Sequence, residues 1–266
     1  MLKVIMLLLL AIYTITAYIL HSQSTGFLFP SIPLVEVTNE ERVETMANGT
    51  LIRSYGDENG ACIIFFPGQR GGVKYYERTL FNRFQSVGFQ VFSLSYPGQE
   101  GAIARVDSVE RFIVEIKEEV ERISLDCLPS KTIVYGRSLG ATLAAYSANT
   151  PYIVGVILEG ASISLDKAIY HYLYKRWYLK PLNLLPIHAL LRENYPLLDA
   201  LVGLSEKPVV IYQGENDEVT PLRDISILLN HSDTVDLKVV ANGKHHNTYY
   251  LALPDIIETA SRMVKN

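Results

Sequence analysis

The stretch Tyr-Gly-Arg-Ser-Leu-Gly at residues 135–140 decides the fold of this chain. A short apolar, β-branched run precedes it and a run rich in alanine and leucine follows it, which predicts a strand, a sharp turn and a helix. Glycines on both sides of Ser138 permit a turn so tight that the serine side chain stands clear of the backbone. Ser138 is therefore the first candidate functional residue. The plainer alternative is a tight turn with an incidental serine.

Short apolar runs recur along the chain, and most end at Gly or Pro; they occupy residues 61–66, 89–96, 131–135, 153–158, 209–212 and 237–240. Helical patterns separate them at residues 75–87, 106–123, 139–148, 223–229 and 254–264. Near-continuous apolar strands are typical of a parallel sheet buried on both faces. An Asn-Gly turn at residues 48–49 joins residues 41–46 and 51–55 into an antiparallel hairpin. We predict a three-layer α/β fold with this hairpin at one edge of a mostly parallel sheet.

The composition is that of an ordinary folded protein, with 48% hydrophobic and 20% charged residues among 266. The 24 Lys and Arg against 28 Asp and Glu leave a net charge of −4 without a basic block, so we expect no nucleic-acid partner. Two cysteines exclude a disulfide scaffold and a four-cysteine zinc site. The adjacent histidines at 245–246 cannot easily share one face, so we expect no metal site there. We also expect no other cofactor.

Residues 4–20 form an apolar run that only Thr14 and Thr16 interrupt. As a helix this run is about 26 Å long, slightly short for a bilayer core of roughly 30 Å. A core helix would show a polar stripe, and this segment has none. The run is too long for a signal-peptide core of about 7–15 residues, and the possible cleavage site Ser22-Gln23-Ser24 is weak. The sequence favours an uncleaved signal anchor over residues 1–21, with a cleaved signal peptide and secretion as the alternative.

The anchor sets the expected domain organisation. Lys3 is the only positive flank, and the positive-inside rule then keeps the N-terminus in the cytosol and the rest of the chain outside it. Residues 22–39, with Pro30 and Pro33, are interpreted as a tether. Residues 40–266 are predicted to form a single domain.

The segment at residues 161–207 interrupts the alternation of strands and helices, because it is too long for a simple crossover between two strands. The segment is dense in aromatic residues, namely Tyr170, Tyr172, Tyr174, Trp177 and Tyr178. An ordinary crossover helix with an amphipathic face is one interpretation. We favour an inserted helical cap whose aromatic side chains line an apolar pocket.

A serine needs a general base held by a carboxylate before it becomes a good nucleophile. The loop Gly-Glu-Asn-Asp-Glu-Val-Thr-Pro at residues 214–221 follows a strand, and Asp217 is its favoured acid. Glu215 and Glu218 are alternatives, better explained as solvated loop charges. Residues 243–248, Gly-Lys-His-His-Asn-Thr, follow the last strand, and position alone does not decide between His245 and His246.

An acyl-transfer site also needs donors for the oxyanion. The backbone N–H of Leu139, directly after Ser138, is one candidate. The loop Phe-Pro-Gly-Gln-Arg-Gly-Gly at residues 66–72 follows an earlier strand and offers Gln69 as the second. One such donor lowers the barrier by about 3 kcal/mol. A plain glycine-rich turn explains Gly71 and Gly72 better than it explains Gln69.

From about residue 40 to its end the chain resembles the α/β-hydrolase superfamily. Residues 135–140 are similar to the nucleophile turn of small membrane-anchored serine hydrolases, a group that includes protein depalmitoylases, and residues 214–221 resemble that group's acid loop. The catalytic histidine of the group commonly precedes an asparagine, so the resemblance favours His246, before Asn247. The chain has Pro67 where a His-Gly pair is usual.

The resemblance implies acyl transfer to water, with Ser138, His246 and Asp217 as the triad. The anchor and the aromatic cap favour esters or thioesters with an apolar, lipid-like acyl group. A peptidase or amidase acting on short peptides is the alternative enzyme, and a non-catalytic, membrane-tethered binding module is the alternative of another class. In the sheet of this superfamily the strands near Cys62 and Cys127 are parallel neighbours, which leaves open a disulfide or two buried free thiols.

Overall fold

The computed structural model describes residues 2–33, 42–129, 131–191, 193–229 and 235–265. Within these ranges lies an eight-stranded sheet in the order β1-β2-β4-β3-β5-β6-β7-β8. Its strands are β1 (Arg42–Thr45), β2 (Leu51–Tyr55), β3 (Ala61–Phe66), β4 (Phe89–Ser95), β5 (Thr132–Arg137), β6 (Ile153–Glu159), β7 (Val209–Gly214) and β8 (Val235–Val240). β1 and β2 pair antiparallel to their neighbours, and the others pair in parallel. The predicted mostly parallel sheet with an edge hairpin is confirmed.

Helices cover both faces of the sheet. The described residues form α1 (Leu2–Leu28), α2 (Val73–Tyr76), α3 (Asn82–Gln85), α4 (Val109–Asp126), α5 (Leu139–Ser147), α6 (Leu165–Tyr174), α7 (Ile187–Leu190), α8 (Leu197–Gly203), α9 (Leu222–Leu229), α10 (Thr248–Leu251) and α11 (Leu253–Lys265). A π-helical segment, Glu77–Phe81, joins α2 to α3, and a 3-10 segment, Lys180–Leu184, precedes α7.

Successive side chains of the central strands enter opposite layers of the core, as the two-residue period of a strand requires. On β3, Ile64 and Phe66 pack in the layer of α4, α5 and α8, whereas Ile63 and Phe65 pack in the layer of α2, α3 and α11. Each of these four side chains is fully buried. Burial on both faces explains why the strand is an uninterrupted apolar run.

The N-terminal helix continues beyond the apolar run and ends against the domain. The segment Lys3–Leu28 of α1 is long and apolar enough to cross a membrane. Phe29, 7% exposed, follows the helix and packs edge-on against Tyr96 and Phe112 at ring distances of 5.6 and 5.2 Å. Ile32 then exchanges backbone hydrogen bonds of 3.0 Å with Gly98 and Glu100.

The interpretation of residues 22–39 as a tether is therefore wrong for its described part, which ends at residue 33. Burial of Phe29 between two aromatic rings fixes the chain where Pro30 and Pro33 had indicated a linker. The rest of the tether and the predicted domain start at residue 40 lie outside the described residues.

The insertion between β6 and β7 contains a cap, over a shorter range than the predicted residues 161–207. Its buried side chains make a separate core, here called the cap cluster, consisting of Leu165, Leu173, Leu185, Ile187 and Leu191. The last helix of the insertion, α8, packs instead in the main core through Leu197, Ala200 and Leu201. The cap proper therefore ends before α8.

The cap aromatics do not line an apolar pocket, so that part of the prediction is wrong. On α6, Leu165, Ile169 and Leu173 recur every four residues and fill the inward face, so the tyrosines between them point away from the core. The exposed fractions are 39% for Tyr170, 45% for Tyr172, 54% for Tyr174, 82% for Trp177 and 60% for Tyr178.

A disulfide joins Cys62 to Cys127. Cys62 lies on β3 beside Thr132 of β5, and Cys127 directly follows α4, so the bond ties the end of a helix to the centre of the sheet. Both cysteines are buried. Of the two alternatives left open by the sequence, the structure contains the disulfide.

We expect loss of this bond to destabilise the fold. The cysteines are 65 residues apart, and closing a loop of that length is worth about 4 kcal/mol by the chain-entropy relation. Reductant should lower the thermal midpoint of the wild-type chain and leave that of a Cys62→Ala/Cys127→Ala double variant unchanged. Intact mass after alkylation in denaturant provides the check. Alkylation of both cysteines in the unreduced protein would contradict the assignment.

Candidate active site

Ser138 occupies a strained turn between β5 and α5. Its backbone torsions are φ 54° and ψ −118°, a combination that non-glycine residues rarely adopt. A Cβ on Gly136 would lie 2.3 Å from the carbonyl oxygen of Gly140, and a Cβ on Gly140 would lie 2.2 Å from that of Phe66. No side chain fits at either position. The two glycines of the motif therefore let the turn close against β3.

Three side chains meet at the carboxyl edge of the sheet. Ser138 Oγ lies 2.9 Å from His245 Nε2, and His245 Nδ1 lies 2.8 Å from Asp217 Oδ2. They come from the turn after β5, the loop after β8 and the loop after β7, which a parallel sheet brings to one edge. Ser138 and Asp217, both named as candidates from the sequence, are two of these three side chains.

Asp217 is buried and accepts several hydrogen bonds. Its Oδ1 accepts from the backbone N–H groups of Val219 and Thr220 at 2.8 and 2.9 Å, and its Oδ2 accepts from Thr220 Oγ1 at 2.8 Å. Burial by itself would raise the pKa of this carboxyl. The hydrogen bond and charge of His245, together with the hydrogen bonds from Thr220, outweigh burial and hold the pKa below its ordinary value of 3.8. Asp217 is therefore ionised at neutral pH.

The choice of His246 is wrong, because the structure places His245 between Ser138 and Asp217. His246 is exposed, since neighbouring side chains in the turn diverge and only one faces the site. The turn is closed by the backbone N–H of Lys244 donating to Asn247 Oδ1 at 2.7 Å and by that of Asn247 donating to the Lys244 carbonyl at 3.0 Å. Asn247 thus closes the turn, and its position after His246 does not mark the histidine that faces Ser138.

A buried ion pair, absent from the sequence prediction, supports the site. Arg137 Nε lies 2.7 Å from Glu159 Oε2 at the end of β6, and Arg137 Nη2 donates to the His245 carbonyl at 2.7 Å. Burial raises the pKa of the Glu159 carboxyl, although Arg137 opposes that shift. The guanidinium also donates to the Tyr76 hydroxyl and lies 5.2 Å from the centre of the Tyr249 ring. One feature of the sequence could have indicated this ion pair: Glu159 is a charged residue at the end of the otherwise apolar strand β6.

The loop after β3 lies against Ser138. A Cβ on Gly68 would be 3.5 Å from Ser138 Cβ, and Tyr96 Oη fixes the loop by donating to the Pro67 carbonyl at 2.8 Å. The side chain of Gln69 donates to the Phe27 carbonyl at the end of α1. Leu139 is the first residue of α5, so its backbone N–H has no acceptor within the helix. Gln69 and Leu139 remain predictions as oxyanion donors.

The residues described by the structure contain no group of three His, Cys, Asp or Glu side chains that could hold a metal ion. The chemistry available at this edge is that of a hydroxyl, an imidazole and a carboxylate in series. Such a series can transfer the hydroxyl proton to the imidazole and stabilise the resulting cation.

A family model described as "Serine aminopeptidase, S33" matches residues 57–199, more than half of the chain. The chain belongs to this family. The match includes the Ser138 turn and most of the insertion, and it ends before Asp217 and His245. Membership of the S33 serine aminopeptidase family thus rests on a region that contains Ser138, and the structure supplies the positions of Asp217 and His245.

Solved structures share the fold at low sequence identity. The Pyrococcus furiosus esterase Pf2001 is 15% identical, with a TM-score of 0.67 over 89% of this chain and 98% of its own. The thioesterase domain from the curacin biosynthetic pathway is 14% identical, with a TM-score of 0.59 over 83% and 99%. An α/β-superfamily hydrolase from Oenococcus oeni is 17% identical, with a TM-score of 0.58 over 84% and 98%. These likenesses confirm the α/β-hydrolase fold. A search of curated proteins finds no significant match.

Proposed function

We propose that the chain is a serine hydrolase that cleaves ester or thioester bonds. Ser138 is the nucleophile, His245 the general base and Asp217 the carboxylate that orients the imidazole. The observation that carries this proposal is the continuous contact from Ser138 Oγ through both nitrogens of His245 to Asp217, at 2.9 and 2.8 Å. The fold shared with an esterase and a thioesterase domain is consistent with it.

The reaction proceeds in two steps, acylation of Ser138 and hydrolysis of the acyl-serine. Ser138 Oγ attacks the acyl carbon while His245 Nε2 takes the hydroxyl proton, and the imidazolium then gives that proton to the departing alcohol or thiol. Water next attacks the acyl-serine, losing a proton to His245, which returns it to Ser138 as the acid leaves. Asp217 stays ionised throughout and stabilises the imidazolium. The backbone N–H groups of Leu139 and Gln69 hold the oxyanion, each worth about 3 kcal/mol of barrier.

Arg137 is a positioning residue in this scheme. It donates a hydrogen bond from the β5 turn to the backbone carbonyl of His245 and forms an ion pair with Glu159. It therefore fixes the separation of nucleophile and base without touching the reacting atoms. A shift of about 1 Å in such a pair is enough to slow a reaction on the order of a hundredfold.

Apolar surroundings favour an apolar acyl group. The side chain of Leu139, next to the nucleophile, packs against both the main core and the cap cluster, and Leu28 at the end of α1 does the same. A hydrocarbon chain leaving the acyl carbon towards the cap would therefore meet aliphatic side chains.

Membrane anchoring is part of the proposal. The α1 helix is long and apolar enough to span a bilayer, and Lys3 favours a cytosolic N-terminus with the catalytic domain outside. The disulfide suits an oxidising compartment. The weak cleavage site at residues 22–24 lies within α1, just before the turn that contacts the domain, which favours an uncleaved anchor over a secreted form.

Amide hydrolysis on short peptides is the second candidate, because the matching family is described as a serine aminopeptidase and the same three residues cleave amides. A non-catalytic binding module is the alternative of another class, and the contacts among Ser138, His245 and Asp217 favour the enzyme over it.

Mutation should distinguish the roles of the two histidines, His245 and His246. His245→Ala and Ser138→Ala should each lower kcat/KM for a short-chain ester by about 10⁴-fold or more, because either loss breaks the proton path. His246→Ala is the matched control, an adjacent exposed histidine, and should retain activity near that of the wild type. Steady-state kinetics of the full chain in detergent measure all three. An active His245→Ala variant beside an inactive His246→Ala variant would overturn the assignment.

Acyl preference should distinguish the two candidate reactions. We expect kcat/KM to rise with acyl length across a series of esters and thioesters, since each buried methylene contributes about 0.8 kcal/mol. Aminoacyl amides and short peptides measured beside them should be poorer substrates. A flat response to acyl length together with rapid peptide cleavage would favour the amidase.

A further inference from the structure

The outer surface of the cap carries the most exposed large apolar side chains among the described residues. We call residues 174–184 the cap face. Leu184 is 85% exposed and Trp177 is 82% exposed, with Tyr178 at 60% between them. Side chains of this size are costly to leave in water, and tryptophan and tyrosine are typical of the boundary between water and lipid.

The cap face is basic, in contrast to the acidic chain as a whole. The sequence contains no Asp or Glu between Asp166 and Glu193, whereas the net charge of the chain is −4. Two of the cations in this interval lie over aromatic rings: Arg176 is 3.7 Å from the ring centre of Tyr172, and Lys180 Nζ is 4.5 Å from that of Tyr174. A third, Lys175, pairs with the exposed Glu218 at 2.7 Å. Mixed basic and aromatic surfaces of this kind suit the phosphate groups of lipid headgroups.

With α1 as the proposed membrane span, its length sets where the cap lies along the membrane normal. The apolar run at residues 4–20 spans about 26 Å as a helix, so nearly all of it is needed to cross a hydrocarbon core of roughly 30 Å. Yet Ala17 and Leu20 already pack against the cap cluster, and His21 Nδ1 lies 3.0 Å from the Leu190 carbonyl. Contact between cap and helix therefore begins inside the stretch that must span the bilayer.

We propose that the cap face docks on the surface of the membrane that α1 spans. Trp177, Tyr178 and Leu184 enter the boundary between headgroups and acyl chains, and the neighbouring lysine and arginine side chains contact headgroup phosphates. This inference rests on the membrane anchoring proposed above and adds a second attachment to it. Because Leu139 packs against the cap cluster, the nucleophile turn is then held beside the bilayer surface, and an acyl chain can reach Ser138 from the lipid.

The single tryptophan of the chain makes a direct test possible, since its emission reports on the cap face alone. The full chain is reconstituted in vesicles of phosphatidylcholine and phosphatidylserine, with either ordinary or brominated acyl chains. Brominated lipid should reduce Trp177 emission by about twofold, because bromine quenches only indoles at the depth of the acyl boundary. Acrylamide present on both sides of the membrane should quench it weakly.

A Trp177→Phe/Val87→Trp variant is the matched control. Val87 is 49% exposed and precedes β4, at the amino edge of the sheet, opposite to the edge that carries Ser138. Its indole should be insensitive to brominated lipid and open to acrylamide. The comparison excludes general proximity of the domain to the vesicle as the cause of quenching.

The outcomes separate this inference from the proposals on which it rests. Flotation with vesicles tests the anchor, and ester hydrolysis by the same sample tests the chemistry. If the chain floats and hydrolyses ester but Trp177 is quenched by acrylamide and not by bromine, docking of the cap face is overturned while the anchor and activity stand. Shielding of Trp177 from both quenchers also overturns it, because a second copy or another protein surface then covers the face.

Discussion

The strained backbone of Ser138 is the constraint on which the site depends, because a hydroxyl projecting from the sheet edge requires a turn that ordinary packing would not allow. A residue held at φ 54° and ψ −118° costs about 1–3 kcal/mol, so its surroundings must leave no other conformation open. Hydrogen bonding supplies part of the constraint, through Ser138 N donating to the Glu159 carbonyl at 2.8 Å. Close packing supplies the rest, since Gly140 brings the first turn of α5 against the Phe66 carbonyl.

Two buried carboxylates behind this turn have different partners and different roles. Asp217 receives hydrogen bonds from Thr220 and faces the imidazole, so it is held ionised where a cation forms. Glu159 faces the guanidinium of Arg137, which in turn reaches the His245 carbonyl. These ion pairs and hydrogen bonds connect the ends of β5, β6 and β7 to the loop after β8, in addition to the backbone pairing of the sheet. Breaking one buried pair would leave a charge without its partner, a cost of about 3–5 kcal/mol.

The fold was predictable from the sequence because each of its signals is local. Strands buried on both faces are continuous apolar runs, and β2 and β3 have the predicted bounds, Leu51–Tyr55 and Ala61–Phe66. The Ser138 turn is recognisable because two glycines are needed within five residues. Asp217 was placed by the position of its loop after β7.

The errors arose where two neighbouring residues satisfy the same pattern or where tertiary contacts override a local one. His245 and His246 follow the same strand, and only the turn closed by Asn247 decides which of them faces Ser138. The tether prediction relied on Pro30 and Pro33. It could not foresee that Phe29 is buried between the ring of Tyr96, which follows β4, and the ring of Phe112 on α4. The cap aromatics were expected to line a pocket because they are so dense in the insertion, but Leu165, Ile169 and Leu173 already fill the inward face of α6.

The most direct test of the central claim, that Ser138 is an activated nucleophile, is covalent labelling of the folded chain by a fluorophosphonate, measured by intact mass. We expect one adduct per wild-type chain and none on Ser138→Ala. Labelling of His245→Ala should be at least about a hundredfold slower, since the serine then lacks its base. Absence of an adduct on folded wild-type protein, or an adduct retained by Ser138→Ala, would show that Ser138 is not an activated nucleophile.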